Sequence, residues 1–445
     1  MHFSRHNIFS KLKDSEDYFI VNILTGNADI LDPEEGMRVE KGIFSDKQQY
    51  IDKGYLIEEE KEEKLYKKAY LDFVDTLSES EIQIFYVPDY SCNFSCSYCY
   101  QGEYTTSVPD GAGEKEQEEG LNTIEAFFSY IVREFAGRKK YITIFGGEPL
   151  MHGKTAFGRI EKLITGAAQR GLDVAVVTNG YNLEEYLPLF EKGNIREIQV
   201  TLDGPEGIHD KRRPLVSGGN SFTKIVSGID AALAAGHRIN LRVVLDRDNI
   251  SYLPSLAQFA IDRGWTESAN FKTQLGRNYE LHTCRGGRGE LLTRTEIYSE
   301  LYELLLKHPE ITQFHKPAFS VSRFLFENGE LPNPLFDSCP GCKTEWAFDY
   351  TGKIYSCTAT VGKEGEELGT FYPEVSLNRE KVAGWENRSV LSIPECRDCS
   401  LQLACGGGCA SVAKNRTGKL ASPDCRPVKE LLEMGISIYS KMEDI

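Results

Sequence analysis

The 445-residue sequence contains no run of about 18 apolar residues, and its first stretch, MHFSRHNIFSKLKDSEDYF, lacks the apolar core of a secretion signal. Neither membrane spanning nor export is expected, and the reading is a cytoplasmic protein. Basic charge is scarce as well: 51 Lys and Arg stand against 67 Asp and Glu, a formal net charge of −16. A duplex nucleic acid or an anionic membrane requires a basic footprint, so neither is expected as the main partner. One basic run, Lys211-Arg212-Arg213, leaves room for a local basic patch, with a solvated loop as the plainer alternative. The chain has no internal repeat.

What is present is ample core material, 40% hydrophobic residues with 11% aromatics, in a chain long enough for two or three domains. Twelve cysteines need an explanation. In a reducing compartment they suit metal ligation better than disulfides.

Residues 1–80 read apart from the rest. YFIVN (18–22) and ADILD (28–32) have strand character around a turn at Gly26, PEEGMRVEKG and DKQQYIDKG read as short helices, YLIEEE as a strand, and EEKLYKKAYLDFVDTL as a longer helix. This β-β-α-α-β-α order predicts a winged-helix-like unit, and its 18 acidic against 11 basic residues make it a poor DNA binder. An N-terminal extension packed on the main domain is the plainer alternative.

From residue 82 strands and helices alternate. The strands are IQIFYVP (82–88), YITIFGG (141–147), DVAVVTN (173–179), EIQVTLD (197–203), NLRVVLD (240–246) and NFKTQL (270–275), with helices such as NTIEAFFSYIVREFAG and FTKIVSGIDAALAAG between them. Several of these strands show little polar alternation, which predicts an α/β fold whose parallel sheet is covered by helices, a partial six-unit β/α barrel. Residues 102–120 are polar and acidic and read as a loop. Beyond residue 330 the chain becomes rich in Cys and Gly and loses helical periodicity until a helix near 427–442. The expected division is 1–80, 81–310 and 311–445, the last organised by metal rather than by a large apolar core.

Cys92, Cys96 and Cys99 form C-x3-C-x2-C directly after the first barrel strand. A disulfide network, a zinc site and an iron–sulfur cluster each fit three nearby cysteines. Zinc ordinarily takes a fourth Cys or His close by, and the nearest histidine, His152, is far along the chain. Three thiolates on one tight loop hold three irons of a [4Fe–4S] cube and leave the fourth without a protein ligand, which suits chemistry rather than structure. Further signals fall at strand ends, where β/α barrels place their active sites: FGGEP (145–149), TNG (178–180) and VTLDGPEGIHDKRRP (200–214).

In this order the motifs resemble the radical S-adenosylmethionine (SAM) superfamily. The resemblance implies that the open iron chelates the amine and carboxylate of SAM, and that the reduced cluster cleaves the sulfonium. The product is a 5′-deoxyadenosyl radical that abstracts a substrate hydrogen. It also implies Cys92, Cys96 and Cys99 as the catalytic ligand set, with Tyr98, Gly146, Gly147, Glu148, Thr178, Asn179, Thr201 and Arg213 around SAM. Glu148 would meet the ammonium group, Thr201 would give a hydroxyl contact, and the fork of Arg213 would pair with the carboxylate.

Downstream come Cys342-x9-Gly352-x4-Cys357, then Cys396-x2-Cys399-x5-Cys405-x3-Cys409, then Cys425. Pairs of C-x2-C in isolation would also serve zinc. Together the seven resemble the SPASM domain of radical SAM peptide-modifying enzymes, which implies two further [4Fe–4S] clusters and three in all. Carried over, one cluster takes Cys396, Cys399, Cys405 and Cys425. The other takes Cys342, Cys357 and Cys409, with its fourth position filled by Cys339 or left open. Cys284 belongs to neither set and reads either as a small buried hydrophobe or as a catalytic hydrogen-atom donor of the kind epimerisation requires.

Two branches of the family compete. Anaerobic sulfatase-maturing enzymes carry an aspartate base just after the cysteine matching Cys357, where this sequence has Thr358. Many maturases of ribosomally made peptides begin with a winged-helix-like element that takes the precursor's leader as an added strand and holds the core segment at the barrel mouth. The resemblance thus implies a thioether-forming peptide maturase, with a precursor peptide and an electron donor such as flavodoxin or ferredoxin as partners. Carbon–carbon cross-linking, epimerisation, and a non-enzymatic multi-cluster electron carrier or sensor are the alternatives.

Overall fold

The computed structural model describes residues 1–101, 114–277 and 291–443, so Cys284 and residues 102–113 of the expected loop lie outside the described residues. The N-terminal segment contributes β1 (His2–Phe3), β2 (Asn7–Lys11), β3 (Tyr18–Asn22), β4 (Asn27–Leu31) and β5 (Leu56–Ile57), with helices Pro33–Glu40, Lys47–Asp52 and Glu59–Glu79. β2, β3 and β4 form an antiparallel sheet in that order, and β1 pairs with β5. The predicted order holds from β3 onward; β1 and β2 are additional strands, too short to show alternation.

β3 is buried on both faces. Ile20 joins Val39, Tyr50, Tyr55 and Leu56 in a small cluster of the unit's own. Phe19 and Val21 pack with Val390, Leu432 and Ile436 near the C-terminus. Fully buried Phe336 meets Tyr66, Tyr70 and Phe73 of helix Glu59–Glu79, with ring centroids 5.1, 5.2 and 5.7 Å away. The N-terminal unit and the Cys-rich region therefore share a core.

All six predicted barrel strands are present. β6 (Ile82–Val87), β7 (Lys140–Ile144), β8 (Val174–Thr178), β9 (Ile195–Thr201), β10 (Ile239–Leu245) and β11 (Phe271–Arg277) run parallel in sequence order. The sheet then continues beyond β6. β12 (Glu345–Asp349) pairs parallel with it, placing Glu345 opposite Gln83 and Asp349 opposite Val87. β13 (Lys353–Tyr355), β14 (Gly369–Thr370) and β15 (Ser376–Leu377) follow antiparallel. The barrel thus gains a seventh parallel strand from the Cys-rich region.

Alternation along the strands divides the side chains. Ile84 and Tyr86 enter the helix-covered core with Phe127, Phe128 and Ile131, whereas Gln83 and Phe85 line a central cavity. Residues 114–120, expected as loop, are the first turns of helix Glu114–Glu134, because Glu, Lys and Gln are good helix formers. Beyond residue 330, helices Arg379–Glu386, Gln402–Cys405 and Ala410–Thr417 precede the expected last helix, Val428–Glu443; the shorter three hide their period in four to eight residues. Among the described residues no helix is long and apolar enough to cross a membrane.

Candidate active site

Cys92, Cys96 and Cys99 follow β6 on a loop that walls one side of the 630 Å³ barrel cavity. Two glycines bring the end of β7 against this loop. A Cβ on Gly147 would lie 2.1 Å from the Ser91 carbonyl oxygen and 2.4 Å from that of Tyr90, and one on Gly146 would lie 2.6 Å from that of Asp89. The N–H groups of Gly147 and Glu148 donate to the Asp89 and Ser91 carbonyls at 3.2 and 2.8 Å. The Gly-Gly pair is a packing requirement of the cysteine loop.

Glu148 is 1% exposed, and its carboxylate accepts from the Leu150 N–H at 2.8 Å, the Thr178 hydroxyl at 2.6 Å and the Asn179 N–H at 2.5 Å. Burial pushes its pKa up, while these donors and Arg213 pull it down. The carboxylate expected to meet an ammonium group is thus committed first to clamping the ends of β7 and β8. The Asn179 side chain donates to Asn93 at 2.7 Å and ties the same strand end to the cysteine loop.

Tyr98 donates to Asp203 and accepts from Arg213. Asp203 also accepts the Val244 N–H at 2.9 Å, and Arg212 holds both oxygens of Asp246 at 2.8 and 2.9 Å. The basic run is therefore no solvated patch: Arg212 and Arg213 are buried, and only Lys211 faces solvent. The Arg213 guanidinium stands over the Phe94 and Tyr98 rings, and its Nε is buried without a partner. Thr201, at the end of β9, lines the same cavity. A buried cationic donor left unsatisfied beside a three-thiol loop fits a ligand carboxylate. The 200–214 motif contains Asp203 and Arg212 but assigned them no role, and no motif covered Asp246.

The eleven described cysteines are free thiols. Cys92, Cys96 and Cys99 form one mutually interacting group, Cys339, Cys342 and Cys357 a second, and Cys396, Cys399, Cys405 and Cys425 a third. Burial pushes the Cys92 thiol up to about 12 and those of Cys96 and Cys396 up to about 11, so they become thiolates only against a cationic centre such as iron. The Cys339 sulfur accepts the N–H of Ala410, which brings the neighbouring Cys409 to the second group. The buried Arg388–Asp337 pair, 2.9 Å apart, braces the loop that carries Cys339. Asp424, next to Cys425, accepts the Cys409 N–H at 3.3 Å and so ties the second and third groups together. Among the described residues no three His, Cys, Asp or Glu side chains converge tightly enough for a single metal ion.

The second group reaches the barrel. Thr358 and Ala359, directly after Cys357, line the central cavity, and the Thr358 N–H donates to Glu345 at 2.9 Å.

The family described as the Radical SAM superfamily matches residues 86–260. A serine-type anaerobic sulfatase-maturating enzyme of Bacteroides thetaiotaomicron is 24% identical over 349 residues, 74% of this chain and 82% of that protein. A GTP 3′,8-cyclase of Vibrio atlanticus is 30% identical over 296 residues, 65% of this chain and 82% of that protein. Among solved structures, anSMEcpe with bound AdoMet and Kp18Cys peptide matches with a TM-score of 0.61 at 17% identity, over 82% of this chain and 100% of that one. Streptococcus suis SuiB bound to precursor peptide SuiA matches with a TM-score of 0.53 at 12% identity, over 96% of this chain and 99% of that one. At these identities the two structures speak for the shared α/β fold alone. The strand-end motifs, the loop they hold and the length of the matched relatives together show that this chain belongs to the radical SAM superfamily.

Proposed function

We propose that the chain is a peptide-modifying radical SAM enzyme that joins a cysteine of a ribosomally made precursor to an acceptor carbon as a thioether. The superfamily brings SAM and a [4Fe–4S] cluster, which when bound supply a 5′-deoxyadenosyl radical for hydrogen abstraction. Cys92, Cys96 and Cys99 would hold that cluster, and Arg213 and Thr201 would orient the SAM carboxylate. Tyr98 and Asp203 fix the cysteine loop against β9, and Glu148 and Asn179 fix it against β7 and β8. Cys396, Cys399, Cys405 and Cys425 would hold a second cluster, and Cys342, Cys357 and Cys409 a third. The buried position of Cys339 among them favours a filled fourth ligand position. A reductant such as flavodoxin or ferredoxin would feed electrons to this set.

The observation that carries the peptide reading is the N-terminal sheet. Its order leaves β4 as an edge strand, open to pairing with an extended peptide, while its other edge strand, β2, is fastened to helix Val428–Glu443 through Ser10 and Glu433. A leader bound on β4 would be held at a fixed place relative to the barrel. SuiB, whose fold matches nearly the whole chain, is itself bound to a precursor peptide.

The test uses anaerobically reconstituted protein, dithionite, SAM and a Cys-containing peptide encoded beside it. Formation of 5′-deoxyadenosine with a product two hydrogens lighter per link supports the reading. An unchanged mass with solvent-derived deuterium establishes epimerisation instead. Intact, reduced clusters without SAM cleavage would sink the enzymatic reading.

Sulfatase maturation is a second reading, favoured by the match over most of the Bacteroides enzyme. Against it, the cavity wall offers the neutral Thr358 where an aspartate base is expected, and the Glu345 carboxylate already accepts the Thr358 N–H. Conversion of a sulfatase-derived peptide to formylglycine would establish this reading.

A further inference from the structure

We infer that Arg242 anchors a carboxylate side chain of the peptide inside the barrel, so that the segment to be modified is acidic; this rests on the peptide reading above. Arg242 lies on β10 in register with Thr201 of β9 and Gln274 of β11. It shares the wall of the central cavity with Cys92, Thr201 and Arg213.

The other cations on that wall are engaged. Arg196 pairs with Glu81 at 2.9 Å, Lys272 with Glu197 at 2.5 Å, Arg213 bonds Tyr98, and Arg277 donates to the Leu292 carbonyl at 2.8 Å. The Arg242 side chain has neither a hydrogen bond nor an ion pair among the described residues, and its backbone carbonyl is engaged by the Leu202 N–H at 3.0 Å. Its guanidinium lies over Gly276, where a Cβ would come within 3.2 Å of it. The bare backbone at 276 leaves the planar group room to stand free in the cavity.

A half-enclosed guanidinium with no partner among the described residues is disfavoured relative to a neutral side chain of similar length, and a ligand carboxylate would supply its counter-charge. Its fork matches a carboxylate through two parallel hydrogen bonds. Neighbouring strands lie about 4.8 Å apart, so a carboxylate held here sits beside the candidate SAM contact at Thr201.

The wider surroundings agree. On a chain with a net charge of −16, the described residues of the cavity wall include Arg196, Arg213, Arg242, Lys272 and Arg277 against Glu148 and Glu197. A second cavity of 610 Å³ shares Gln274 and Arg277 across the edge strand β11 and adds Arg294, Arg323 and Arg426, with no acidic residue among the described residues of its wall. An acidic segment repelled elsewhere on the surface is therefore drawn to this face.

The test uses anaerobic holoenzyme with SAM and two fluorescein-labelled peptides, GGECEGG and GGKCKGG, followed by fluorescence anisotropy at low salt. The acidic peptide is expected to bind at least tenfold tighter, Arg242→Met to reduce that ratio below twofold, and Arg242→Lys to restore part of it. Equal binding of both peptides to the unmodified protein, or an undiminished ratio in Arg242→Met, would overturn the anchor alone. A fall in SAM affinity in Arg242→Met, measured by equilibrium dialysis, would assign the residue to the cofactor and likewise overturn it. GTP binding through Arg242 while neither peptide binds would overturn both the anchor and the peptide reading.

Discussion

Glu148→Gln separates two roles for the same carboxylate. The substitution is isosteric, so it changes hydrogen bonding and charge but not volume. The amide oxygen can keep the Leu150 N–H and the Thr178 hydroxyl at 2.8 and 2.6 Å. The amide NH2 then replaces the oxygen that accepts the Asn179 N–H at 2.5 Å, setting donor against donor. One charge-assisted bond is lost and two donors stay buried without partners, a combined cost of about 3–5 kcal/mol. At about 1.4 kcal/mol per tenfold, backbone amides at the ends of β7 and β8 should exchange hydrogen faster by about two to three and a half powers of ten. Hydrogen-exchange mass spectrometry of the holoenzyme reads this directly in fragments spanning 140–150 and 174–182, with helix Phe222–Ala234 as an unaffected internal reference. Exchange that stays within threefold of the unmodified protein while SAM affinity collapses would refute the clamp. It would show a carboxylate free to bind ligand, as the family motif implied.

Gly147→Ala places a Cβ 2.1 Å from a backbone oxygen of the cysteine loop, so the loop must move; iron and sulfide analysis should show one cluster fewer per chain, and full iron content with normal SAM cleavage would contradict this. Phe336→Ala removes a fully buried ring that three aromatic side chains of helix Glu59–Glu79 surround, at a cost of about 3–5 kcal/mol. Limited proteolysis should then cut within or beside that helix first, and an unchanged cleavage pattern would count against the shared core. His6, only 1% exposed, has its pKa lowered from 6.5 to about 4 by burial and by Arg5, whose Nε donates to its Nε2 at 3.1 Å. The unfolded histidine takes up a proton that the folded one refuses, so its contribution is full above pH 6.5 and is lost as the pH falls toward 4, on the order of 3 kcal/mol. His6→Phe, which keeps the stacking on Tyr66, should flatten the fall in unfolding free energy between pH 7 and about 5 measured by chemical denaturation; an equally steep fall would refute the assignment.

The six barrel strands were legible because apolar runs such as IQIFYVP and DVAVVTN are bounded by helical periodicity, a purely local signal. Cys92, Cys96 and Cys99 stood out because three thiols fall within eight residues, whereas the division of the later cysteines into two sets came from the resemblance to the SPASM domain. β12 was not: EWAFD is five residues long, and nothing in it states that its partner is β6 rather than another strand of its own region. The Glu148 clamp was hidden for a related reason, since a motif fixes which residue is present but not which way its carboxylate turns. The burial of Arg212 was not legible because its main counter-charge, Asp246, lies on another strand end and only the barrel brings the two together. The same holds for β3, whose two buried faces need partners from opposite ends of the chain.

The pairing of β12 with β6 has a consequence for how the chain comes into being. The two strands are separated by about 260 residues, so during synthesis the outer edge of β6 waits for its partner. At about 5–20 residues per second, that wait is on the order of tens of seconds. Throughout it, a strand buried almost end to end in the finished protein offers open backbone groups to any passing chain. The thiols of Cys92, Cys96 and Cys99 have already emerged by then, whereas the cysteines after β12 have not. Sealing of the sheet is therefore a late event under the control of the C-terminal third. Loss of that third would leave a nascent barrel prone to association before its first iron is in place.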